Sequence, residues 1–301
     1  MRRNGLPLLP TKGVGLTQDS AEGQGLGVLS VHLDGGRCRV GCPFCYLGRR
    51  TGRATGGLDV DLLDQMLATL PYREIALALS EPVEPVLPVL ERIARTAAAR
   101  GRLLAVTTTP QVVAALPPGS LTGVGRLSLS LDPWKGPEKG LLDGAWAARA
   151  AATARAAYSG EIVLIVTLST RQFAQQLLDG LLGELLALAE VDRVALNAVK
   201  PPPPWCNRRF WLFALSRIAP LLRQHLDRRL FLDCYVAARL LGLGSCPARP
   251  DLSPAPDGVA GVAFRGCVYQ PAPDYVTASA SDLCERLKTF CPPAVCPFPI
   301  D

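Results

Sequence analysis

Histidine is nearly missing from this chain: His32 and His225 are the only two in 301 residues. A closed zinc site, which takes four nitrogen or sulfur ligands, would have to be built almost without imidazole. Aromatic residues are also scarce, at 6%, and charged residues make up only 19%. The net charge of +6 comes mostly from arginines scattered through helical stretches. The interleaving of basic and aromatic residues that marks a nucleic-acid face is absent, and no nucleic-acid partner is expected. No uncharged apolar run reaches 18 residues, so no helical membrane span is expected. The apolar stretch within residues 1–10 is too short and too broken by proline for a signal peptide. Neither G-x-G-x-x-G nor a Walker A loop occurs, which removes the common nucleotide-phosphate cradles. A cytoplasmic, reducing location follows as the expectation, in which cysteines serve as metal ligands rather than disulfides.

What the chain does have is apolar content of 49%, 28 glycines, 27 prolines and ten cysteines. Short β-rich runs alternate with longer helical ones, the pattern of an α/β fold with parallel strands. Strands are predicted over 27–33, 74–80, 103–109, 126–131, 162–168 and 193–199. Helices are predicted over 86–99, 141–158 and 172–189, with a short one at 112–115. Leu62, Leu63, Met66, Leu67 and Leu70 add a further helical stripe behind an Asp59 cap. Six βα units are too few to close an eight-stranded barrel, so the reading is a partial (β/α)6 barrel of the TIM type. Pro201-Pro-Pro-Pro204 is a stiff break. It separates a barrel core (27–200), which follows an N-terminal segment (1–26), from a cysteine-rich C-terminal region (201–301). In that last region a helix over 208–222 is followed by a run at 230–236.

Three of the cysteines, Cys38, Cys42 and Cys45, read C-x₃-C-x₂-C in a Gly/Pro-containing loop just past the first strand. Three thiolates this close can hold three irons of a 4Fe–4S cube and leave the fourth iron open to a chelating ligand. Tyr46 follows the third cysteine directly. In barrels of this type, chemistry sits at the C-terminal ends of the strands, which is where this loop begins.

This loop resembles the cluster motif of the radical S-adenosylmethionine (radical SAM) superfamily, and the layout of residues 27–200 resembles that family's partial barrel. The resemblance implies S-adenosylmethionine on the open iron and its reductive cleavage to a 5′-deoxyadenosyl radical. It also implies a flavodoxin or ferredoxin reductant. The local excess of Arg37, Arg39, Arg49, Arg50 and Arg53 around the loop reads either as a basic collar that docks an acidic electron donor or screens the cluster's negative charge, or as a solvated surface. Tyr46 falls at the family's aromatic position near adenine. Ser80-Glu81-Pro82 falls at the strand-two motif that holds the methionine amino group, although both of the family's glycines there are missing. A strand-four serine, Ser128 or Ser130, is the counterpart of the ribose or carboxylate ligand. Thr167 on strand five and Asn197 on strand six are further candidates, beside Thr107, Thr108, Thr109 and Ser169 at strand ends.

Five of the seven remaining cysteines lie in the last 56 residues. Their density resembles the auxiliary-cluster appendages (SPASM or twitch type) of many radical SAM enzymes and implies a second 4Fe–4S cluster. Cys246, Cys267, Cys291 and Cys296 are the first-choice ligands, with Cys246 and Cys267 flanking a hairpin signal at Asp257-Gly258. Cys284 sits in an apolar helical stripe with Leu283, Leu287 and Phe290 and reads as packing. Cys206 and Cys234 are either packing residues or thiols that donate a hydrogen atom. The expected activity is hydrogen abstraction from a peptide or amino-acid-like substrate. A small metabolite is the alternative substrate, and a non-catalytic electron carrier or redox sensor the alternative function.

Overall fold

The computed structural model describes residues 26–33, 61, 64, 67–68, 72–81, 83–131, 133, 135, 140–198, 208–225, 229–232, 251–254, 262–265 and 274–276. Seven strands pair in parallel and in chain order. They are β1 (Leu26–Leu33), β2 (Tyr72–Leu79), β3 (Leu103–Thr108), β4 (Arg126–Ser130), β5 (Glu161–Leu168), β6 (Arg193–Ala198) and β7 (Leu230–Leu232). The chain then returns to the far side of β1. There β8 (Asp251–Pro254) pairs parallel to β1, and β9 (Val262–Arg265) and β10 (Asp274–Val276) follow antiparallel. The sheet is therefore open, with β10 at one edge and β7 at the other. All six strands expected from the sequence form, each within two residues of its expected ends. The strands beyond residue 200 extend the same sheet at both edges, and β8 and β9 make the hairpin that Asp257-Gly258 signalled.

Strand alternation splits the sheet into two unlike faces. Ile75, Leu77, Leu79, Leu104, Val106, Leu127, Leu129, Leu164, Val166 and Leu196 occupy one face and are buried. The helices that cover them are α1 (Leu87–Ala99), α2 (Pro110–Ala115), α3 (Gly144–Ala157), α4 (Arg171–Gln176), α5 (Leu182–Ala187) and α6 (Arg208–His225). The covering side chains of α3 are Ala147, Ala150, Ala151 and Ala154, small enough to let its backbone lie close to the sheet. The single helix expected over 172–189 is two. Leu177–Leu181 winds as a π-turn between α4 and α5, and Gly180 at φ 120° adopts a conformation closed to side-chain-bearing residues.

The starts of α1 to α4 are fixed by a short polar side chain or a proline. Thr109, directly after β3, accepts from the Val112 amide at 3.3 Å and caps α2. Asp143 accepts from Ala145 N at 2.9 Å and caps α3, and Thr170 accepts from Phe173 N at 3.0 Å and caps α4. Ahead of α1, the helical residues Asp61 and Asp64 both pair with Arg92, while Arg100 Nη1 donates to the Ala68 carbonyl at 2.8 Å. Those two arginines tie α1 to the segment that follows the cysteine loop in sequence. None of the described helices is long and apolar enough to cross a membrane.

Close packing at the N-terminal end of the sheet gives one measurable expectation. Buried Tyr158 donates its hydroxyl to the Val124 carbonyl at 2.9 Å. A Cβ on Gly160 would lie 2.3 Å from that hydroxyl oxygen and 2.5 Å from Tyr158 Cζ. Gly160→Ala should therefore displace the ring and cost about 1–3 kcal/mol. Thermal melting will show the loss, and adding Tyr158→Phe, which removes the atom in nearest conflict, should recover part of it.

Candidate active site

The face of the sheet opposite the helices carries the polar strand residues. Register fixes which they are. Ala78 pairs with Thr107, Thr107 with Ser128, and Ser128 with Val163. Ser130 pairs with Ile165, and Thr167 with Asn197. Ser80, Ser128, Ser130, Thr167 and Asn197 thus share one face, toward the C-terminal ends of β2, β4, β5 and β6. Ser128 and Ser130 are 7% and 8% exposed, so both hydroxyls sit in a largely dry setting. Glu81, half-buried, follows β2 at the same rim.

Two other sequence candidates turn away from this face. Thr108 alternates to the helix side and donates to the Leu79 carbonyl at 2.9 Å, which ties β3 to β2. Thr109 is spent as the α2 cap described above. Ser169 is fully buried at the end of β5. Cys38, Cys42, Cys45 and Tyr46 lie outside the described residues, as do Cys206, Cys234, Cys246, Cys267, Cys284, Cys291 and Cys296. Among the described residues no group of three His, Cys, Asp or Glu side chains is placed to hold a metal ion.

Sequence reasoning missed Lys135. Its ammonium donates to Ser130 Oγ, five residues back along the chain. The loop that carries it is pinned to the neighbouring βα unit. Gly140, at φ 89°, donates its amide to the Pro133 carbonyl at 2.9 Å and closes the turn. Thr170 Oγ1 donates to the Gly140 carbonyl at 3.0 Å. Gln176 then grips both backbone groups of Leu142, accepting from its N–H at 3.0 Å and donating to its carbonyl at 3.1 Å. These anchors hold one cation beside the buried hydroxyl at the end of β4.

A row of charge at the other end of the same face was also missed. Arg126 on β4 reaches Glu74 on β2 at 3.2 Å and Glu161 on β5 at 2.8 Å. Glu161 also takes Arg193 on β6 at 2.9 Å, and the Arg193 guanidinium lies 4.7 Å from the centre of the Phe231 ring on β7. The Arg126–Glu74 contact skips β3, a backbone gap of two strand spacings or about 9.6 Å in a flat sheet, which the two long side chains bridge together. Relative to backbone register the ionic row climbs by two residues from β2 to β4 and by two more from β5 to β6. That climb is the stagger of tilted strands in a barrel wall. Burial alone would lower the Arg126 pKa. The Glu161 hydrogen bond and the charges of Glu74 and Glu161 outweigh it, and the group stands above its ordinary value. Among the described residues, the concave side therefore has a mutually neutralised ionic floor at one end and hydroxyl-bearing strand ends at the C-terminal rim.

No family model matches the chain, and no curated protein sequence does. Among solved structures, Streptococcus suis SuiB bound to S-adenosylmethionine superposes with a TM-score of 0.52 at 9% identity. The match covers 90% of this chain and 65% of SuiB, so the chain spans just under two thirds of that protein. The hydrogenase maturase HydG from Carboxydothermus hydrogenoformans gives a TM-score of 0.45 at 14% identity, over 70% of this chain and 59% of HydG. Coproporphyrinogen III oxidase (HemN) from Escherichia coli, a radical SAM enzyme, gives 0.44 at 13% identity, over 81% and 66%. What the chain shares with SuiB is the architecture, an open α/β partial barrel whose parallel strands carry helices on one side and leave the other concave.

Proposed function

We propose that this chain is a radical SAM enzyme that abstracts hydrogen from a peptide or amino-acid-like substrate. The observation that carries the reading is the convergence of chemistry at one rim. β1 ends at Leu33, five residues before Cys38, and pairs there with Leu79, two residues before Glu81, while Ser130 and Lys135 lie two strands further along the same C-terminal rim. The fold shared with SuiB, whose structure holds S-adenosylmethionine, supports the same reading.

The donor set fits the cofactors. Cys38, Cys42 and Cys45 offer the three soft thiolates that a 4Fe–4S cluster with one open iron requires. Bound together, the reduced cluster and S-adenosylmethionine supply one-electron cleavage of the sulfonium and a 5′-deoxyadenosyl radical. Glu81 holds the methionine ammonium through a charge-assisted contact, and Lys135 with Ser130 holds the carboxylate. Ser128, Thr167 and Asn197 offer hydroxyl and amide groups to the ribose and adenine, and Tyr46 packs on the adenine. The concave face orients the substrate and excludes water, which is the protein's share of such chemistry. A flavodoxin or ferredoxin supplies the electron. A second cluster on Cys246, Cys267, Cys291 and Cys296 draws support from the hairpin. Its strand β8 begins five residues after Cys246, β9 ends two residues before Cys267, and Asp251 and Arg265 are register partners.

Anaerobic reconstitution with iron and sulfide, then S-adenosylmethionine and dithionite, tests the reading. Release of 5′-deoxyadenosine and methionine is the expected result. A chain that binds iron yet leaves S-adenosylmethionine intact would be an electron carrier. The rim assignment has its own test in equilibrium dialysis with radiolabelled S-adenosylmethionine. Glu81→Gln and Lys135→Met should each weaken binding by roughly tenfold or more, the loss of one charge-assisted hydrogen bond. Unchanged affinity in both variants would remove these residues from the ligand site.

A further inference from the structure

Between the ionic floor and the rim, the concave face has a composition that a filled barrel does not. Its side chains there include Ala76, Ala78, Ala105 and Ala195, with Thr107 and Ser128. Val163 and Ile165 on β5 add the only larger apolar groups among the described residues of β2–β6 at this height. A closed eight-stranded barrel packs its interior with Val, Ile and Leu. Here alanines occupy those places, and Ala76, Ala78 and Ala195 remain half-exposed. None of the described residues in this band is ionisable. Below it, two guanidiniums meet two carboxylates at 2.8–3.2 Å, so the floor offers no unbalanced charge to a ligand.

We propose that this lumen receives the uncharged part of the substrate, an aliphatic group or one bearing a hydroxyl or amide, and that ionised groups of the substrate stay at the rim. The inference rests on the reading above, in which substrate enters from the C-terminal rim. An ionised group entering the band would lose hydration and find no counter-charge to replace it. A hydroxyl or amide would find Thr107. Aliphatic carbon would find the alanines and Val163.

Charge-selective labelling of the full-length, cluster-loaded protein tests this without turnover. Ala78→Cys and Ala195→Cys place a thiol in the band, and Ala98→Cys, exposed on α1, serves as reference. Three methanethiosulfonates sharing one reactive group are compared: neutral methyl, anionic sulfonatoethyl and cationic trimethylammonioethyl. Labelling rates are read by mass spectrometry of the peptide that carries the introduced cysteine. Relative to Ala98→Cys, the neutral reagent should outpace both charged ones by roughly tenfold. Added floor substitutions should invert the preference in opposite senses. With Glu161→Gln, two guanidiniums face one carboxylate and the anionic reagent should gain. With Arg193→Gln, the cationic reagent should gain. A role limited to stability predicts no such sign change, and far-UV circular dichroism confirms that each variant folds. Equal rates for neutral and charged reagents overturn the proposal, as does a charged reagent reacting fastest on the intact floor. No labelling by any reagent at both positions also overturns it, because the band is then packed. None of these readouts uses S-adenosylmethionine cleavage, so a failed enzyme reading remains distinguishable from a failed lumen.

Discussion

Cys42→Ser is expected to abolish 5′-deoxyadenosine formation outright. A serine hydroxyl is a hard donor that stays protonated at neutral pH, whereas the cluster irons bind thiolate sulfur. The middle cysteine of C-x₃-C-x₂-C has no substitute within the loop, since the next thiol in sequence after Cys45 is Cys206. With two clusters the reconstituted protein should hold about eight irons per chain, and Cys42→Ser about four. Cys291→Ser should show a similar iron loss but retain S-adenosylmethionine cleavage, because the auxiliary ligands do not touch the open iron. Cys284→Ala should change neither, consistent with its place in the apolar stripe of Leu283, Leu287 and Phe290. Iron and sulfide analysis beside chromatographic detection of 5′-deoxyadenosine reads all three variants. Full iron and full cleavage in Cys42→Ser would end the radical SAM reading.

The parallel core was legible because buried parallel strands between amphipathic helices write themselves as near-continuous apolar runs, such as Ile162–Val163–Leu164–Ile165–Val166. The facing of Ser128 and Ser130 followed from period-two alternation alone, and register bears it out. Thr108 and Thr109 show the limit of that argument. Their residue type fits a ligand, a strand or a helix cap equally well, and only the fold reveals that one ties β3 to β2 while the other caps α2. Lys135 left no local signal, since its meaning comes from a loop held by Thr170 and Gln176, more than 30 residues away. The ionic floor did leave one. Arg126, Glu161 and Arg193 each open a strand, and Arg126 shares the parity of Ser128 and Ser130. A charge at that parity must face the concave side, but its partner could not be named before the tilt of the strands was known.

Arg126→Met should be the most damaging single change in that floor. The guanidinium is 27% exposed and stands between Glu74 and Glu161, whose side chains are 21% and 26% exposed. Removing it strands Glu74 without its cation, leaves Glu161 dependent on Arg193 alone and brings two half-buried carboxylates face to face. Fully buried pairs broken in this way cost about 3–5 kcal/mol; partial exposure here discounts that to about 2–3 kcal/mol. For a chain of this size the melting temperature should fall by about 5 °C or somewhat more. Adding Glu74→Gln to Arg126→Met should return part of the loss, because a neutral amide needs no counter-charge. The double-mutant cycle separates that recovery from simple repacking: a coupling energy near zero would mean that Arg126 contributes bulk rather than charge. A coupling of one kcal/mol or more, on the order expected for contacting ions, would establish the floor as an electrostatic unit that ties β2, β4 and β5 together and so holds Ser130 and Glu81 in place at the rim above it.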